Sequence, residues 1–142
     1  MPNYLLSKEF KFDAAHMLEG HCGKCKNLHG HTYTVVVSFK KSKLNSNGSS
    51  KDMVVDFYNV KEFVNPIIDS LDHSFIYNCE NDIENKIGMF VESFGLKTYK
   101  INFRSTCENL SAHFYSLLKP KFSSLYNVKV FETVGSSCEY SE

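Results

Sequence analysis

Residues 22–40 read Cys-Gly-Lys-Cys-Lys-Asn-Leu-His-Gly-His-Thr-Tyr-Thr-Val-Val-Val-Ser-Phe-Lys, and the reading of this stretch decides the fold. From residue 29 onward, His29, His31, Tyr33, Val35, Val37 and Phe39 fall on every second position. That period of two predicts a strand over 29–40 with these six side chains on one face. The ten residues from Cys22 to His31 also hold two thiols and two imidazoles, donors suited to a transition metal. Two apart on a strand, His29 and His31 can turn toward one ion.

Upstream, residues 7–16 alternate in the same way. Phe10, Phe12, Ala14 and His16 share one face and Lys11 and Asp13 the other, which predicts a half-buried strand ending on His16. Residues 17–28, with Gly20, Gly23 and both cysteines, read as the connecting loop. Two ligand sets then compete. His16, His29 and His31 would hold zinc with an open fourth position, the layout of a catalytic centre. Cys22, Cys25, His29 and His31 would instead close a structural zinc knot that leaves His16 unused.

Downstream, Asn47-Gly48 predicts a turn that closes a hairpin onto a short strand, Met53-Val54-Val55. Asp56 reads as the N-cap of a helix carrying Val60, Phe63, Val64, Ile67 and Leu71, with Pro66 expected to kink it. Residues 78–100 read as polar and then weakly amphipathic around Ile87–Phe94, a long variable excursion, and 101–103 as a short extended piece. Ser105-Thr106-Cys107-Glu108 has the capping-box pattern, and Leu110, Phe114, Leu117 and Leu118 continue a helix that stops at Pro120. Strands over 127–134 and 137–141, joined at Gly135-Ser136, finish an α+β arrangement: an antiparallel sheet with helices on one face.

The 142 residues are 42% hydrophobic and 23% charged, the balance of a globular chain that fits one domain spanning 1–142. Sixteen basic and sixteen acidic residues cancel, which argues against broad capture of nucleic acid or an anionic membrane. No apolar run approaches the ~18 residues of a membrane helix, and the start of the chain lacks a signal peptide's layout. The expectation is a cytoplasmic protein whose five cysteines act as ligands, nucleophiles or core residues.

Three further residues carry chemistry. Asp72-His73 follows directly on the first helix, and a carboxylate beside an imidazole can fix its tautomer for proton transfer. The same pair also suits a plain helix C-terminus. Glu132 shares its strand phase with Val128, Val130 and Val134, so a carboxylate faces the core and needs donors, from the protein or from a ligand rich in N–H groups.

Taken in order, Phe12-x-Ala14-Ala15-His16, Cys25-x-x-x-His29-Gly30-His31, Leu71-Asp72-His73, Thr106-x-Glu108-Asn109 and Val130-Phe131-Glu132-Thr133 resemble the pyruvoyl-tetrahydropterin synthase family. The resemblance implies a tunnel fold (T-fold) of four antiparallel strands and two helices. Three subunits would join into a barrel and two trimers would stack into a hexamer. It implies zinc on His16, His29 and His31, proton transfer by Cys25, Asp72 and His73, and a pterin held by Glu132, Glu108 and Thr106. The three-residue spacing from Cys25 to His29 is similar to the bacterial branch that forms 6-carboxytetrahydropterin in the queuosine (deazapurine) pathway. Cys22 departs from the family pattern.

Overall fold

The computed structural model describes residues 2–142. Its strands are β1 (Tyr4–His16), β2 (His29–Lys41), β3 (Ser74–Asn78), β4 (Thr98–Ile101), β5 (Leu125–Thr133) and β6 (Ser136–Tyr140). Its α-helices are α1 (Phe57–Leu71), α2 (Asp82–Ser93) and α3 (Cys107–Leu118), and a 3₁₀ turn spans Lys24–Lys26. The strands form one sheet in the order β4-β3-β1-β2-β5-β6.

β1 and β2 are its spine. They pair antiparallel without a bulge from Tyr4 opposite Lys41 to His16 opposite His29. The predicted alternation holds: Phe10, Phe12, Ala14, Tyr33, Val35, Val37 and Phe39 are all buried. They meet Val60, Val64, Ile68 and Leu71 of α1, and Leu110, Phe114 and Leu118 of α3, in one core. Each such aromatic or branched side chain contributes roughly 1.5–3 kcal/mol by leaving water. Asp56 caps α1 as expected, accepting from the Tyr58 N–H at 2.9 Å. Pro66 lies inside α1 without interrupting it. Both Pro66 and Glu62, whose carbonyl loses its intrahelical donor, are exposed, so water replaces that hydrogen bond.

Three expectations are corrected. Met53-Val54-Val55 is not a strand; the segment is a turn in which Asp52 takes a left-handed φ of 63°, although Val54 still reaches the core. Residues 78–100 are not an excursion, because they hold α2 and the start of β4. The sheet has six strands rather than four and is mixed, since β3 runs parallel to both β1 and β4. The α+β class stands. α1 and α3 cover one face, while α2 covers the other at the β3 end: Ile76 enters the main core, and Phe75 and Tyr77 pack toward Ile87 and Val91 of α2. Burial on both faces explains the unbroken apolar run in β3. Gly88 permits the approach of α2, since a Cβ there would lie 2.4 Å from the Tyr77 ring.

Candidate active site

At the paired ends of β1 and β2, three imidazoles converge. His16 Nε2 lies 3.1 Å from His29 Nε2, which lies 3.2 Å from His31 Nε2. Tetrahedral zinc with bonds of about 2.0–2.1 Å needs ligand atoms roughly 3.3 Å apart, so the set fits that ion. The other ring nitrogens fix the tautomers. His29 Nδ1–H donates to the Asn27 carbonyl at 2.7 Å, and His16 Nδ1–H to the Ser105 carbonyl at 3.0 Å. Their Nε2 lone pairs are left pointing at one another, an arrangement that a cation resolves. Among the described residues the group contains no cysteine, so the closed Cys22, Cys25, His29, His31 knot is not formed.

His16 is 1% exposed, and burial, then the neighbouring His29 and His31, pull its pKa down to about 4 from 6.5. It is neutral in the fold and becomes charged below pH 6.5 when unfolded. Its contribution is therefore whole above pH 6.5 and shrinks as pH falls toward 4, by about 3 kcal/mol. Chelator-treated protein is expected to show a urea midpoint that drops steadily across this window; a flat midpoint would contradict it.

Glu132, Glu108 and Thr106 line one cavity of about 340 Å³, together with Arg104, Cys107 and His21. A wider groove on the far side of Glu132 reaches His31, Gly30 and Lys11. Glu132 thus borders both the cavity and the groove that reaches His31. The β5–β6 ladder slips between Phe131 and Thr133, which leaves Glu132 without a partner on β6. Val134, expected on the same inward face, is instead 99% exposed in the β5–β6 turn. The capping box is also corrected. Thr106 is the N-cap of α3, accepting from the Asn109 N–H at 3.2 Å, so Glu108 is not occupied as a cap and can face the cavity.

Asp72 ends α1, and its Oδ2 accepts from His73 Nδ1–H at 2.8 Å. Its Oδ1 accepts from the Asp13 backbone N–H at 2.9 Å, while the His73 N–H donates to the Asp13 carbonyl at 2.6 Å. The Asp13 N–H first, and then His73, hold the Asp72 carboxyl below the usual range. His73 adopts a left-handed φ of 59°, which swings its ring outward, where it is 76% exposed. Cys25 sits half-exposed on the 3₁₀ turn. Neither it nor the Asp72–His73 pair joins the histidine group.

Three contributors escaped the sequence reading. Ser105, fully buried, offers both carbonyl and hydroxyl to His16, yet resembles any serine before a helix. Asn27 acts through a backbone carbonyl, which no side-chain pattern reveals. Arg104, the only arginine, donates to the Glu19 carbonyl at 3.2 Å and lines the cavity; its rarity was the available signal.

Residues 5–142 match the family described as 6-pyruvoyl tetrahydropterin synthase. A Haemophilus influenzae protein named 6-carboxy-5,6,7,8-tetrahydropterin synthase is 40% identical over 141 residues, spanning 98% of this chain and 99% of its own. A Caenorhabditis elegans 6-pyruvoyl tetrahydropterin synthase structure superposes with a TM-score of 0.71 at 25% identity, over 100% of this chain and 97% of its own. An uncharacterized Wolinella succinogenes protein, WS1659, shares the fold with a TM-score of 0.84 at 20% identity, over 100% of this chain and 99% of its own. On a match that runs nearly end to end, the chain belongs to the 6-pyruvoyl tetrahydropterin synthase family.

Proposed function

We propose that the chain is a zinc-dependent, cytoplasmic 6-carboxytetrahydropterin synthase. It converts 7,8-dihydroneopterin triphosphate and one water to 6-carboxytetrahydropterin, acetaldehyde and triphosphate, on the route to queuosine and related deazapurines. The observation that carries this reading is the place of Glu132, which lines the Thr106–Glu108 cavity on one side and the His31 groove on the other. A pterin whose amino and ring N–H groups meet that carboxylate lies with its side chain directed toward the histidines.

His16, His29 and His31 hold the metal, which when bound supplies Lewis acidity to the substrate's side-chain hydroxyls. Asn27 and Ser105 keep two of the three rings in the ligating tautomer. Glu132 accepts from the pterin's paired donors, and Thr106 and Glu108 line the rest of its pocket. Cys25, as thiolate, takes the carbon-bound proton next to the ring. His73, steered by Asp72, passes protons to and from the side-chain oxygen as triphosphate leaves. Assembly of copies is part of the reading, as the family resemblance implies. β1 meets β3 only at Ala14 and Ala15, so most of that edge is free for a neighbouring sheet in a three-copy barrel. Two such trimers make the hexamer, with a mass in solution near six times the 16.3 kDa chain.

The test is the product. Incubation with 7,8-dihydroneopterin triphosphate and no added nucleotide is expected to yield 6-carboxytetrahydropterin by mass spectrometry, with one acetaldehyde per pterin in a coupled assay. Stoichiometric 6-pyruvoyltetrahydropterin without acetaldehyde would assign the chain to the pyruvoyl-forming branch, which uses the same residues.

A further inference from the structure

Beside the cavity lies a polar atom with no apparent use. Among the described residues, the Tyr33 hydroxyl is the buried side-chain oxygen that has no hydrogen-bond partner. The residue is 0% exposed. Its ring stacks on Phe12 at 4.9 Å, with His16 and His31 edge-on at 5.9 and 5.5 Å. Such a group destabilises the fold that contains it, and native chains retain few of them.

The sheet register shows what faces it. β2 and β5 are antiparallel with Val35 opposite Val130 and Thr34 opposite Phe131. One step further, the same register sets Tyr33 opposite Glu132. Val35 and Val130 are both buried, and Tyr33 and Glu132, each two residues on, share their face. Side chains in directly opposite positions start about 4.5–5.5 Å apart at Cβ. A phenol hydroxyl is both donor and acceptor, and toward a carboxylate it donates. The one ion pair among the described residues is His73–Asp72, so the Glu132 carboxylate has no cation of its own. A donor without an acceptor thus lies across from a carboxylate without a counter-charge.

We propose that Tyr33 is a positioning residue for Glu132. When a ligand ring with adjacent N–H donors enters, the Tyr33 hydroxyl donates to one carboxylate oxygen and holds the carboxylate plane toward the ring. The free protein carries the unpaired hydroxyl as a cost, and the bound state removes it. The inference rests on the pterin reading above and adds the group that orients its anchor.

Tyr33→Phe deletes only the hydroxyl. Neopterin, fluorescent and free of phosphate, serves as the probe on the full-length protein as purified. The free variant is expected to melt at or above the wild-type temperature, because no hydrogen bond is lost. Neopterin affinity is expected to fall about tenfold. In a Glu132→Gln background the same change is expected to cost less than about twofold, because the hydroxyl acts through the carboxylate. Wild-type affinity in Tyr33→Phe, a full tenfold loss in the Glu132→Gln background, or a lowered melting temperature would each overturn the inference. A wild-type chain that binds no neopterin would overturn the pterin reading, and this inference with it.

Discussion

Cys25→Ala is expected to lose roughly 10²–10⁴ of turnover while keeping its metal and its fold. The thiol is half-exposed on the 3₁₀ turn, so its removal opens no core cavity. What holds that turn is backbone: the Leu18 N–H donates to the Cys25 carbonyl at 2.8 Å, a bond that alanine preserves. Nor is Cys25 among the converging metal-ligating groups. A proton acceptor therefore disappears and little else changes. Cys22→Ala, three residues earlier and exposed, is expected to be close to silent. Turnover measured alongside zinc content and melting temperature separates the cases. If Cys22→Ala were inactive and Cys25→Ala active, the working thiol would be Cys22.

The second large effect is expected at His29. Its Nε2 lies within 3.2 Å of both other imidazole nitrogens, so it is the middle member of the set. His29→Ala leaves two donors, and zinc measured by elemental analysis is expected to fall from about one per chain to a small fraction of that. His16→Ala is expected to lose it as well. A His16→Ala protein with full zinc, beside a Cys22→Ser protein with none, would restore the closed cysteine–histidine knot.

Side-chain phase made much of this legible. Alternation placed His16, His29 and His31 on one face, and pairing of His16 with His29 then brought the rings together. Cap chemistry located α1 through Asp56, and apolar spacing located α3. What stayed hidden violates the rules that made the rest readable. In α2 the buried positions are Glu84 and Gly88, Ile87 and Val91 are only partly buried, and Ile83, Met89 and Phe90 face outward, so its apolar stripe is blurred. Glu84 survives burial by accepting from the Asn78 N–H at 3.1 Å, a partner visible only in the fold. The parallel β3–α2–β4 unit is missed for the same reason, because a crossover cannot be read without its helix. At the site, Glu132 was found because a carboxylate in a valine phase is conspicuous. Tyr33, a tyrosine in a tyrosine's usual setting, was not.

Asp13 and His16 stand three residues apart on β1, about 10 Å along an extended chain. From the first, two backbone groups grip the Asp72–His73 pair along the strand's edge; from the second, an imidazole joins His29 and His31 on the sheet's face. β1 is thus a ruler with two marks. Lengthening it by a single residue between these marks would turn one of them to the wrong side, and lengthening it by two would separate them by another pleat. The strand can accept new side chains but no new length. Changes in chain length are left to the loop at 42–56, which carries none of the residues of the site.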